Sequence, residues 1–89
     1  MAVTVTPIIA LNRAVAVAMR DGPEAGLALI DPLLGPDGLD HYRLAHAAKA
    51  DLLRRLGRLA EAKASYETAL ALTRQEAERR FLRRRLAEI

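Results

Sequence analysis

The chain has no cysteine, no tryptophan and only three aromatic residues, Tyr42, Tyr66 and Phe81. Without cysteine there is neither a disulfide nor a thiolate metal site, and the redox compartment stays undetermined. So few aromatics argue against a sheet, whose faces are filled by β-branched and aromatic side chains. No apolar run approaches the roughly 18 residues of a bilayer span. Met1 to Val5 lacks the charged start and long apolar core of a secretory signal. Serine occurs once, at Ser65, so a nucleophile elbow is excluded. What remains is alanine and leucine. Half of the residues are apolar (52%) in a chain of 89, which suits one domain of closely packed helices. A domain this small buries only about 60–65% of its unfolded surface, so modest stability is expected. The net charge of +3 sits in the tail, where six arginines face three glutamates between Arg74 and Ile89.

The most ordered pattern is Leu52 to Leu72, LLRRLGRLAEAKASYETALAL. Leu52, Leu53 and Leu56 precede Gly57. Leu59, Ala62, Tyr66, Ala69 and Leu70 follow it at helical spacing, which is one face of a 3.6-residue period. Gly57 stands where a helix C-cap needs positive φ. Small Ala62 and Ala69 beside bulky Leu59, Tyr66 and Leu70 make an interdigitating face, so the unit reads as a helical hairpin.

These residues resemble the tetratricopeptide repeat (TPR). Gly57, Leu59, Glu61-Ala62, Tyr66 and Ala69-Leu70-x-Leu72 follow that repeat's order and spacing, and Ala50 stands at its small position on the first helix. His46 stands where an aromatic is usual, and Arg74 where the closing proline is usual. The resemblance implies an all-α fold of antiparallel helical hairpins, a TPR-like right-handed superhelix ended by a C-terminal capping helix.

Taken in order, residues 1–6 form an N-terminal extension and residues 7–89 the helical domain. Thr6-Pro7 reads as N-cap and first helical position, opening a helix over 7–20. Ile8, Ile9, Leu11, Val15, Val17, Ala18 and Met19 put apolar surface nearly all round it. One hairpin covers only one side, so a partner, upstream material or a second copy is expected on the other. Asp21-Gly22-Pro23 is a tight corner. A short helix follows over 23–30, with Ala25 and Leu29 inward and Gly26 allowing close packing, and Pro32 ends or kinks it at Asp31. Residues 7–34 are thus a degenerate repeat. Leu34 to Gly38 is a turn, and Asp40 caps a third helix over 41–56. The fourth, 59–73, completes the good repeat, 40–73. Thr73 and Glu76 have capping-box spacing, opening a fifth helix over about 74–87 within the capping segment 74–89. Its inward residues are expected to be Ala77, Phe81, Leu82, Leu86 and Ile89, with a polar outer face as repeat arrays require.

Over about residues 5–89 the chain also resembles the C-terminal extension of a group of bacterial extracytoplasmic-function sigma factors. ALNRAVAVA, the DGP corner and AERRFL carry that likeness. It implies a cytoplasmic, non-enzymatic domain that regulates transcription initiation by docking on the sigma domains of the same protein or on RNA polymerase. It also implies that the promoter-reading and polymerase-binding domains lie upstream, so that nucleic acid is met mainly through them. The first helix would then face the preceding domain, or pair as a homodimer through 7–20. A free-standing TPR adaptor holding a peptide of another protein is the alternative.

The TPR likeness carries a partner-binding groove onto Asn12, Arg13, Ala16 and Arg20 in the first repeat and Ala47, Asp51, Arg54 and Arg55 in the second. Asn12 and Arg13 suit a peptide backbone or carboxylate, through the donor fork of arginine, or else Asn12 satisfies a nearby helix end. Asp51, Arg54 and Arg55 are too mixed for a clean carboxylate clamp. Arg80, Arg83 and Arg84 share a face that suits nucleic acid or a docking partner, or is simply solvated. No aromatic interleaves them, and Glu76 and Glu78 read as exposed cap residues. His41 and His46 are spaced i, i+5, which does not place two ligands on one face, and nothing completes a metal cluster. Gly35 and Gly38 lack the Lys-Ser/Thr of a phosphate loop. No catalytic constellation, metal site or cofactor is expected.

Overall fold

A computed structural model describes residues 7–35, 38–39 and 41–89. The extension 1–6, with the cap expected at Thr6, and the cap expected at Asp40 lie outside the described residues. Among the described residues five α-helices follow one another: α1, Pro7–Asp21; α2, Pro23–Ile30; α3, Arg43–Arg55; α4, Leu59–Leu72; and α5, Glu76–Ala87. A 3-10 turn, Asp31–Leu34, follows α2. Among the described residues there is no strand, so the fold is all-α. No described helix is long and apolar enough to cross a membrane.

Each corner has a local cause. At the first, Gly22 adopts φ 106° and donates its N–H to the Ala18 carbonyl at 3.0 Å, and Pro23 opens α2. At the third, Gly57 adopts φ 77°. Its N–H reaches the Arg54 carbonyl at 3.0 Å, and the Arg58 N–H reaches Leu53 at 2.9 Å. That bond pair is the Schellman closure, and it satisfies carbonyls that would otherwise end α3 unpaired.

Helix α2 ends at Ile30, as expected. Asp31 nevertheless keeps helical angles, φ −51° and ψ −46°, and donates its N–H to the Leu27 carbonyl. The 3-10 turn follows directly, with Pro32 in its first turn, and the Asp31 carboxylate meets Lys49 Nζ at 3.1 Å. Two corners depart from expectation. Helix α3 starts two residues late, because Tyr42 is extended and donates its N–H to Leu39 at 2.9 Å. The Thr73–Glu76 capping box does not form. Thr73 is buried and its hydroxyl donates backwards to the Ala69 carbonyl at 2.6 Å, leaving Gln75 at the N-cap of α5 without a side-chain cap bond. Arg79 completes this junction: Nη1 donates to the carbonyls of Leu70 and Thr73, both at 2.9 Å.

Packing is sequential. Helix α1 lies on α2, α2 on α3, α3 on α4 and α4 on α5, while α1 touches α3 more lightly. The core runs along this stack through Leu11, Ala14, Ala18, Leu27, Ile30, Leu53, Ala62, Tyr66, Ala69 and Leu82. His46 is buried at its edge, as expected of an aromatic substitute. Some inward assignments were one phase out. In α2 the buried residues are Gly26, Leu27 and Ile30, while Leu29 faces out. Leu59, at the first turn of α4, is half-exposed. In α5 only Leu82 is fully buried, with Leu86 and Ile89 packed beside it, and Ala77 and Phe81 lie on the exposed side.

The tightest approach is α1 on α2. A Cβ on Gly26 would overlap the Ala18 Cβ and stand 2.9 Å from the Ala14 carbonyl oxygen. Backbone cannot yield as a side chain does, so the two helices would have to separate. Gly26→Ala should therefore destabilise the fold by about 1–3 kcal/mol, read as a lower urea midpoint. Gly35→Ala is the contrast, since its added Cβ meets nothing within 4 Å. It should hold or slightly raise the midpoint.

Candidate functional site

The groove residues expected on α3 come together, but mostly with one another. Asp51 accepts from Arg54 Nη2 at 2.8 Å and meets Arg55 Nε at 3.2 Å. Arg54 also donates Nε to the Tyr66 hydroxyl at 3.3 Å, across to α4. The cluster thus neutralises much of its own charge, and Arg54 helps seat the buried tyrosine. The α1 set is different. Asn12, Arg13, Ala16 and Arg20 are all exposed, and Arg20 is engaged bidentately by its neighbour Asp21 at 3.0 and 3.2 Å. No described bond joins the α1 set to the α3 set.

Ala47 belongs to a feature that the sequence did not disclose. A groove of about 190 Å³ runs between the first half of α3 and the middle of α5, lined by Arg43, Leu44, Ala47, Thr73, Glu78, Phe81 and Leu82. Leu44 and Phe81 are large, apolar and nearly half-exposed there, at 44% and 49%. Helical spacing alone could place Leu44 away from the α3 core, but nothing local said that α5 would bring a phenylalanine beside it.

Glu78 is not a solvated cap residue. Arg43 grips it with both ends of its fork, Nε to Oε2 at 2.5 Å and Nη2 to Oε1 at 3.1 Å, tying α5 to the start of α3. The hydrogen bonds from Arg43, together with its charge, hold the Glu78 carboxyl below its usual pKa against an opposing effect of burial.

The outer arginines are sparsely paired. Arg80 and Arg83 both approach Glu76, at 3.9 and 3.8 Å, so these two share a face. Arg84 instead lines a hollow with Phe81, Arg85 and Glu88. Among the described residues, no group of three or more His, Cys, Asp or Glu is placed to hold a metal ion.

A second surface is apolar. Ile8, Val15 and Met19 stand exposed along one flank of α1, Met19 at 73%, while Leu11, Ala14 and Ala18 turn inward.

No family model matches the chain, and no solved structure does. It is similar to an uncharacterized protein of Rhizobium meliloti (strain 1021), with 41% identity over 81 residues. The match covers 91% of this chain and 19% of the relative; the chain thus spans about a fifth of the protein it matches.

The Arg43–Glu78 pair carries a pH signature. Because the folded carboxyl titrates below its unfolded value, near 4.3, the pair stabilises fully above that value and is lost as pH falls through the folded one. Glu78→Gln should be less stable than the parent at pH 7. The gap between their urea midpoints should close as the buffer is taken down through the acid range, and a gap that persists there would show that the charge is not its source.

Proposed function

We propose that this chain is a TPR-like docking domain that regulates an extracytoplasmic-function sigma factor. In this reading the helices stack as a right-handed superhelix with α5 as the capping helix. Their surfaces hold the sigma domains or RNA polymerase, changing whether promoter binding is productive. The observation that carries it is the flank of α1, where Ile8, Val15 and Met19 are apolar and uncovered. Monomers seldom leave such a strip open unless something docks on it. Two further facts support the reading. Helices α3 and α5 meet at a separation of 35 residues, in the Arg43–Glu78 pair, close to the 34-residue period of that repeat. And the matched Rhizobium protein is much longer than the stretch it shares, as expected where such a domain is one part of a larger protein.

The free-standing adaptor shares this architecture but has no sigma region before it. The genomic DNA preceding the Met1 codon decides between them, and a separate gene ending there removes the sigma reading. If the sigma region is present, the immobilised 89-residue chain should retain it as a separately expressed module. Met19→Glu should weaken that retention, because a charge would enter the apolar flank. In the absence of the module, the same flank should pair two copies. Sedimentation velocity should then show concentration-dependent dimers that Met19→Glu abolishes, and a monomer at every concentration would remove the homodimer.

A further inference from the structure

The α3–α5 groove differs from the α1 flank in shape and charge. It is concave, with Leu44 and Ala47 exposing apolar surface inside it, the buried Leu82 lining it, and Phe81 at its edge. The same phenylalanine lines the neighbouring hollow with Arg84, Arg85 and Glu88, so an apolar recess and a cationic one meet at this ring. The charge there is only partly spent internally. Glu78 is held by Arg43, and Glu88 meets Arg85 at 3.4 Å. Glu76 lies near the limit of contact with Arg80 and Arg83. Arg84 is exposed and has no ion-pair partner among the described residues. Arg85 lies over the Phe81 ring, 5.1 Å from its centroid, and its Nε–H is buried without an acceptor.

We infer that this groove binds an acidic peptide segment of a partner protein, carrying one aliphatic anchor. The inference rests on the protein-docking reading above and adds the site and the chemistry of the partner. The anchor covers Leu44, Ala47 and Leu82 beside Phe81, removing apolar surface from water. A flanking carboxylate reaches Arg84, whose fork matches it bidentately, and the excess of arginine over glutamate along α5 favours further acidic residues beside it. A basic segment is repelled by the same excess. A second copy of this chain, itself net +3, brings charge of the wrong sign. A nucleic acid would find phosphate partners here, but Phe81 is the one aromatic among the lining residues and Arg85 covers one of its faces, so successive bases have no stacking platform, and an aliphatic floor gains nothing from sugar or phosphate.

The test is fluorescence anisotropy with the 89-residue chain. The probe is a labelled synthetic peptide with a single leucine among glutamates. Its companions replace the leucine by alanine, replace the glutamates by glutamines, or substitute an oligothymidine single strand. The first peptide should saturate, and each companion should bind at least about tenfold more weakly, the size of a hot-spot truncation. Leu44→Asp and Arg84→Glu should each weaken the first peptide similarly, while Leu59→Asp, equally exposed but outside the groove, should not. Far-UV circular dichroism checks the helices, and Leu44→Ala replaces Leu44→Asp if that variant unfolds. Binding indifferent to the leucine, equal loss in Leu59→Asp, preference for the oligonucleotide, or no binding would each overturn the assignment. Should the chain still retain a sigma module, only the groove is refuted; should it retain neither, the docking reading falls too.

Discussion

Close approach between α3 and α4 is the constraint on which the other contacts depend. Ala45, Ala50, Ala62 and Ala69 are wholly buried, and Tyr66 lies among the core residues with only 2% of its surface exposed. Small side chains let helices approach, and the tyrosine ring supplies volume that alanines cannot. Its hydroxyl would be a liability in such a place, since a buried polar group without a partner costs about 1–3 kcal/mol. Arg54 meets it, and Asp51 meets Arg54. A chain of polar contacts thus leads from the core to the surface without leaving a charge stranded. Helix α2 then rests on α3, and α5 on α4, so an error at this hairpin would displace both neighbours.

The ends of the stack are held by different means. At α1–α2 the device is absence of a side chain, with Gly26 taking the backbone to within van der Waals reach of Ala14 and Ala18. At α4–α5 it is directional bonding. Thr73 and Arg79 satisfy carbonyls at the end of α4, and Arg43 reaches across from α3 to Glu78. Glycine packing is blind to pH and salt. The α5 attachment includes charged groups that are about one-third exposed, so solvent screens it. The last helix is therefore the part of the stack whose seating responds most to its surroundings, and it is also the part that forms the wall of the groove.

Two corners were legible in the sequence because glycine and proline act locally. Gly22 with Pro23, and Gly57, do in the folded chain what their backbone chemistry demands, and they separate α1 from α2 and α3 from α4. Faces were legible only where a helix was long and its pattern strong. Helix α2 has eight residues and is apolar nearly throughout, so its phase depends on Gly26 meeting α1, a tertiary fact. The expected cap of α5 failed for another reason. Thr73 has two uses for one hydroxyl, and in its buried place it makes the backward bond to Ala69. The candidate site divides in the same way. Asp51, Arg54 and Arg55 fall on neighbouring turns, and their mixed character could be read directly. Leu44 and Phe81 lie far apart in the chain, and their meeting depends on the angle at which α5 returns.

That angle also explains why Phe81 is exposed at all. The expected capping box would have begun α5 two residues earlier, at Arg74. With Thr73 turned back, α5 starts at Glu76, and Leu82 is its one buried side chain. Phe81, the neighbour of Leu82 in the chain, lies about 100° round the helix from it, on the side that faces Arg43, Leu44 and Ala47 at the start of α3. An exposed phenylalanine on an arginine-rich helix is costly in isolation, and Arg85 covers one side of it. The other side lines the groove. One residue's step round α5 therefore separates a buried leucine from a phenylalanine that walls an open recess with a cationic edge.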